Sequence, residues 1–303
     1  MLMIISCHIM QYLHMELAWW FNVGVQVFLC ISGFLYGQKE LCHTTSFLRQ
    51  RFKKILVPYY LVYVFFGSLE FIFVRDTFNF VTFLRGLFVN AVIKGGEHLW
   101  FIPTILMCYI ITPMLQDYKV TIVKDKRGLW RFTIISLVAS GIFFGGFSNY
   151  FNPAWISCYV IGYSLGINEN TKLISEKFLL LLFGVIAVMG NGLQIYCTYF
   201  SDLSIPKHSL AFNYNHVMLG VLIFLLCKAI CQRHNMNRIK SILDLSDKYS
   251  YEVYLVHQFV VLGPFSLMGV TQNVVLNCLA VLGGICVLVI FLKKAEHVAF
   301  RFI

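Results

Sequence analysis

Long apolar runs follow one another along the chain, separated by short polar connections. They lie at about 2–15, 18–37, 56–74, 99–115, 132–147, 153–167, 178–200, 214–231, 251–269 and 274–292. A helix crossing a bilayer needs roughly 20 mainly apolar residues, and most of these runs approach that length. The pattern predicts an all-α membrane protein, a polytopic bundle of about ten transmembrane helices. One stretch departs from it. In "DTFNFVTFLRGLFVNAVIKGGEHLW" (Asp76–Trp100), Phe80, Phe83, Leu84, Leu87, Phe88 and Ala91 recur at helical spacing with Arg85, Asn90 and Lys94 between them. That alternation predicts a helix lying along the outer interface. No internal repeat, low-complexity tract or second domain interrupts the chain, so residues 1–303 are expected to form a single membrane-embedded domain.

Composition strengthens the membrane reading. Hydrophobic residues are 59% and charged residues 13% of the chain, with mean hydropathy +0.74. A water-soluble domain could not cover such a core. The net charge of +10 could point to nucleic acid, but its distribution gives another answer. Lys39, Arg49, Arg51, Lys53 and Lys54 follow the second run. Lys119, Lys124, Lys126, Arg127 and Arg131 follow the fourth, and Lys172 and Lys177 the sixth. Lys228, Arg233, Arg238, Lys240 and Lys248 lie around the end of the eighth, and Lys293, Lys294 and Arg301 after the tenth. Thus 20 of the 24 Lys and Arg fall on one side, leaving Arg75, Arg85, Lys94 and Lys207 on the other. By the positive-inside rule both termini are expected in the cytoplasm, and no nucleic-acid partner is needed to explain the charge. The first run, Met1 to His14, is about 21 Å of helix, short of a hydrocarbon core of about 30 Å. It also lacks flanking Lys or Arg, so the chain as written is expected to be clipped at its start. No cleavable signal peptide is read there.

Ionisable groups inside apolar runs are costly and mark functional sites. His8, His14, Glu16, Glu70, Glu97, His98, Glu252 and His257 are the candidates. The ten cysteines show no CxxC spacing or Cys/His cluster, so they read as small hydrophobes and no metal site is expected. In "NVGVQVFLCISGFLYG" (Asn22–Gly37), Gly33 and Gly37 have the GxxxG spacing that admits a close neighbouring helix. Packing does not explain Asn22, Gln26 and Ser32 in the same stretch, and on one helix Asn22 and Gln26 share a face that could line a polar cleft. "SFLRQRFKKILVPYY" sets Arg49, Arg51, Lys53 and Lys54 at the cytoplasmic surface, where they suit lipid headgroups or the phosphates of a nucleotide-bearing donor.

In family order, these pieces resemble the acyltransferase-3 family, integral membrane acyltransferases that O-acetylate bacterial surface sugars. "MLMIISCH" matches an apolar helix closing on a His, and "NVGVQVFLCISGFLYG" looks like the Gly-Val…Phe-Phe…Ser-Gly-Phe/Tyr-Leu signature. "RQRFKKILVPYY" matches the basic run ending in Pro-Tyr, "EHLWFIPTILMCYIITP" the His-x-Trp-Phe helix, and "SDKYSYEVYLVHQ" the late Ser-Tyr-x-x-Tyr-Leu-x-His segment. The resemblance spans essentially the whole chain. It implies an acyl-CoA donor, acetyl-CoA first, on the cytoplasmic face and a glycan or lipid-linked oligosaccharide acceptor outside, in a multi-pass protein of the bacterial plasma membrane. It also implies that His8 is catalytic. The family pairs this His with an Arg further upstream than the seven residues before His8 allow. No relative's appended extracytoplasmic domain is expected here.

On this reading His8 does general-base work, either deprotonating the acceptor directly or assisting a covalent relay, since imidazole titrates near neutrality. Arg49, Arg51, Lys53 and Lys54 hold the donor. Trp19, Trp20, Asn22, Gln26, Ser32, His98 and Trp100 line the acceptor side and the passage between, with Tyr254 and His257 as supporting residues. No cofactor is expected to be bound; acetyl-CoA is a substrate, and membrane lipids surround the chain. Two rivals are a transporter or flippase for glycan intermediates and an inactive, truncated relative serving as a scaffold.

Overall fold

The computed structural model describes residues 1–76, 78–147, 152–200, 210–234 and 240–302; Lys207 and Arg238, counted above, lie outside them. All regular structure among the described residues is helical. The helices are α1 (Leu2–Tyr12), α2 (Ala18–Phe21), α3 (Gly24–Gly37), α4 (Thr44–Phe73), α5 (Phe80–Leu87), α6 (Phe101–Ile122), α7 (Lys126–Gly145), α8 (Pro153–Thr171), α9 (Glu176–Tyr199), α10 (Leu210–Arg233), α11 (Lys240–Val261) and α12 (Val274–Phe302). A 3-10 turn, Glu97–Trp100, leads into α6.

Among the described residues, seven stretches are long and apolar enough to cross a membrane: Ala18–Gly37, Thr44–Phe73, Glu97–Ile122, Lys126–Gly145, Glu176–Tyr199, Phe212–Arg233 and Val274–Phe302. The other three runs read from sequence form different objects. Residues 2–15 give the 11-residue α1, which ends where His14 turns with φ +54°. Residues 153–167 give α8, whose Ser157, Ser164 and Asn168 dilute its apolarity. Residues 251–269 begin in α11, whose first half is charged, and leave the helix at Val261. The interfacial helix is also shorter than its pattern. It stops at Leu87, and Val89 takes φ +58°, so Ala91 does not continue the face.

The helices group into two compact units: Met1–Asn22 with Leu48–Leu106 and Met236–Ile303, and Val23–Phe47 with Met107–Asn235. In the second unit α3 and α8 meet along reciprocal small-residue seams. A methyl group at Gly33 or Gly37 would strike the backbone carbonyl of Tyr159 or Tyr163. One at Gly162 or Gly166 would strike that of Cys30 or Phe34. Both helices carry a GxxxG spacing, which is what brings two backbones into contact. With α3 on one side and α7 and α10 packed elsewhere, α8 is buried from Pro153 to Asn168 except at the half-buried Trp155. A helix so enclosed needs no amphipathic stripe. At its end, Lys228 bonds Glu169 at 2.5 Å and Glu176 at 2.6 Å, and Lys172 pairs with Glu169 at 2.8 Å. Partial burial opposes ionisation of Glu169, yet the two lysines hold its carboxyl below the usual range.

The first unit is built on aromatic contacts around α4 and α11. Phe66 stacks on Phe259 with centroids 4.0 Å apart, and Tyr59, Tyr63 and Phe83 form a ladder at 5.4 and 5.5 Å. Tyr59 donates to the Gly86 carbonyl at 2.6 Å, fixing α5 against α4. Between α11 and α12, Lys293 pairs with Glu252 and, at 3.0 Å, with Glu296. Both carboxylates are buried, and each leaves one oxygen without a partner. Removing the cation strands both acids. Lys293→Met is expected to cost roughly 2–3 kcal/mol, less than a fully buried pair because the ammonium stays partly solvated. A lowered thermal midpoint in detergent checks this, and adding Glu252→Gln should recover part of the loss.

Candidate active site

The first unit gathers three imidazoles. His8 projects from α1, His98 from the 3-10 turn and His257 from α11. The His8 and His257 centroids are 5.1 Å apart, and those of His98 and His257 are 4.9 Å apart. Each ring has one nitrogen committed to a protein acceptor. His8 Nδ1 lies 2.6 Å from Gln11 Oε1, His257 Nδ1 2.7 Å from the Tyr254 carbonyl, and His98 Nε2 3.2 Å from the Leu255 carbonyl. Because those oxygens only accept, each of these nitrogens carries the hydrogen in the neutral ring, and the other nitrogen is left basic. His98 Nδ1 and His257 Nε2 are buried without a hydrogen-bond partner. His257 is fully buried, His98 nearly so, and His8 only partly.

One face of α11 organises the cluster. Tyr254, His257 and Gln258 are three or four residues apart and so lie side by side. The Tyr254 hydroxyl donates to the His98 carbonyl. Gln258 accepts from the His98 backbone N–H at 3.0 Å and donates to Glu97 at 2.8 Å, while the second Glu97 oxygen accepts from Gly95 N–H at 3.0 Å. Gly95 has φ +80° and lies against Gly263, so a side chain there would be both strained and blocked by backbone. That close approach lets the 3-10 turn reach α11 and bury His98.

The same helix reaches the basic run. Tyr251 donates to the Ile55 carbonyl of α4 at 2.8 Å, immediately after Lys54. From Tyr251 to His257 is roughly 9 Å of helical rise. On α4, Arg49 and Lys53 share one side by their i,i+4 spacing, and Arg51 and Lys54 another. Arg49 and Lys54 are exposed, and Arg51 and Lys53 half-buried.

The acceptor-side residues separate. Trp19 and Trp20, on α2, meet edge to face at 5.0 Å and are half-buried, as is Trp100 at the end of the 3-10 turn. Asn22 is exposed and ends α2, whereas Gln26 belongs to α3, which starts at Gly24. The expected shared face of Asn22 and Gln26 is therefore corrected: the helix breaks between them. Gln26 and Ser32 are buried in the second unit. There the Gln26 backbone oxygen accepts from Cys158 at 3.1 Å, and Gly220 of α10 provides the space for its side chain. Sequence reading did not assign Gln11, Tyr251 or Gln258 to the site. The only signal for Gln258 was its place beside His257. Among the described residues no group of three metal ligands converges.

A multi-pass helical membrane protein with a histidine cluster at the meeting of α1, the 3-10 turn and α11 defines the class. Residues 1–293 match the family described as "Acyltransferase domain", and the chain belongs to this acyltransferase-3 family. Curated relatives are the "Probable poly-beta-1,6-N-acetyl-D-glucosamine export protein" of Staphylococcus aureus strains MSSA476 and MW2, each 22% identical over 306 residues, covering 92% of this chain and 81% of theirs. The protein of that name from strain MRSA252 is 21% identical over the same coverage. No solved structure matches significantly.

Proposed function

We propose that this chain moves an acyl group, acetyl first, from cytoplasmic acyl-CoA to a hydroxyl of a cell-surface glycan, acting as a single domain in the bacterial inner membrane. On this reading about ten segments cross the bilayer, α1, α8 and α11 completing the set, with both termini inside. The observation that carries it is the basic nitrogen of His8, freed by the Nδ1–Gln11 bond, in a chain of the acyltransferase-3 family.

The chemistry needs few parts. His8 Nε2 takes the proton of the acceptor hydroxyl as its oxygen attacks the thioester carbonyl. The tetrahedral intermediate collapses, the C–S bond breaks, and the departing thiolate takes the proton from His8. Ester and free thiol result, and the imidazole is neutral again. Arg49, Arg51, Lys53 and Lys54 suit the donor's phosphates. Trp19, Trp20 and Trp100 suit sugar faces, with Asn22 beside them.

The relatives' printed names favour a second reading, export of the polymer, and make an amino-sugar polymer the first glycan to examine. Deleting the gene separates the two. Acyl transfer predicts that the O-acyl signals vanish from the proton NMR spectrum of a glycan still reaching the surface. Unchanged acylation, with polymer accumulating inside the cell, would replace this reading with export.

A further inference from the structure

The proposed reaction leaves the lone pairs of two buried imidazoles unused, His98 Nδ1 and His257 Nε2, and the His257 ring is the one that meets His8. His257 is fully buried in a largely apolar protein, its Nδ1–H is held by the Tyr254 carbonyl, and its other nitrogen meets no donor. An unsatisfied acceptor in such surroundings is costly and calls for a partner. His98 already gives its N–H to the Leu255 carbonyl, whereas protonated His8 gains a second N–H that can supply one. The two ring centroids lie 5.1 Å apart, tilted by 37°; no hydrogen bond joins the rings as they stand, and a turn of the His8 ring would bring one N–H···N contact within reach.

Neutral His8 has a single N–H, and Gln11 takes it. The imidazolium formed during catalysis has two. Once the acceptor oxygen is bonded to the acyl carbon in the tetrahedral intermediate, it no longer holds the second N–H strongly. We infer that His257 is a positioning residue for the reaction, its Nε2 accepting the second N–H of the His8 imidazolium so that one proton is held between the two rings until the thiolate leaves. The inference rests on His8 being the base. No atom is added or lost: the hydroxyl proton becomes the shared proton and then the thiol proton.

The neighbouring groups leave this role to His257. Glu97 faces His8, but both its oxygens are engaged, by Gln258 and by Gly95 N–H. His98 packs against the far partner of the pair, His257, and Tyr254 spends its hydroxyl on the His98 carbonyl. A protonated amino group at Met1 also acts on His257, and it offers no acceptor.

The test is NMR on the full chain in nanodiscs, its histidine rings labelled with nitrogen-15. As pH is lowered until the pair takes one proton, a through-bond nitrogen–nitrogen coupling should link His8 to His257, with a far-downfield proton. His257→Gln, which keeps an amide donor for the Tyr254 carbonyl, should remove that signal. The same variant should lower glycan O-acylation about tenfold or more at unchanged protein level. A His8 ring that protonates with no coupling to His257, and a His257→Gln protein with full transfer, would overturn the inference while leaving His8 as base. Full transfer by His8→Ala would instead remove the reading on which the inference rests.

Discussion

His8→Ala should reduce glycan O-acylation by about 100-fold to 10,000-fold, the range that a positioned general base contributes. The loss should come without loss of protein from the membrane, because His8 is half-buried and its Nδ1 bond to Gln11 is local to α1. The packing of α1 runs through Ile4, Ile5 and Cys7 instead, with Cys7 bonded to the Ala18 carbonyl at 3.2 Å. Complementing a deletion strain with the variant, then comparing glycan O-acyl content with protein level, separates lost chemistry from lost fold. Gln11→Leu should have a smaller effect of the same kind, since the ring would lose the acceptor that fixes its tautomer.

The largest effect on folding is expected at the α3–α8 seam. Gly33→Leu places a branched side chain where even a methyl group meets the Tyr159 carbonyl, and Tyr163 N–H is next to it. Those obstacles are backbone, so no side-chain rotation relieves them. The helices must part, and with them the contacts that enclose α8. Overpacking costs about 1–3 kcal/mol where neighbours can adjust, and here they cannot. Gly33→Leu should therefore leave no monodisperse folded species on size-exclusion chromatography in detergent. Gly184 on α9 is the control. Nothing lies within 4 Å of an added methyl group there, so Gly184→Ala should be neutral or gain up to about 1 kcal/mol of helix propensity.

Some of this was legible in the sequence, for physical reasons. Gly33 and Gly37 announce a close helix contact because small residues one turn apart leave a flat strip on which another backbone can lie. Their partner could not be named, although Gly162 and Gly166 repeat the spacing, because a periodicity on one helix says nothing of which helix it faces. The seven long spans follow from their hydropathy. The run at 153–167 gives the enclosed helix α8, because enclosure by protein and immersion in lipid both select apolar residues. His8 could be singled out as a candidate because an imidazole in an apolar run is expensive. Its juxtaposition with His257 depends on α11 crossing α1, a contact between residues almost 250 positions apart. The bonds that hold His98 on α11, to Gln258 and the Leu255 carbonyl, join residues far apart in the chain and were not legible either. The Asn22–Gln26 face failed because the turn at Asn22 and Val23 interrupts a run that is continuous only in hydropathy.

One measurement tests the central claim most directly. Inverted membrane vesicles carrying the chain are supplied from outside with acetyl-CoA labelled in its acetyl group, and the glycan inside is recovered and treated with mild alkali. Alkali-labile label on the glycan with the wild-type chain, and none above background with His8→Ala, is the result the account predicts. Equal labelling by the two chains, or glycan crossing the membrane with no label attached, would contradict it.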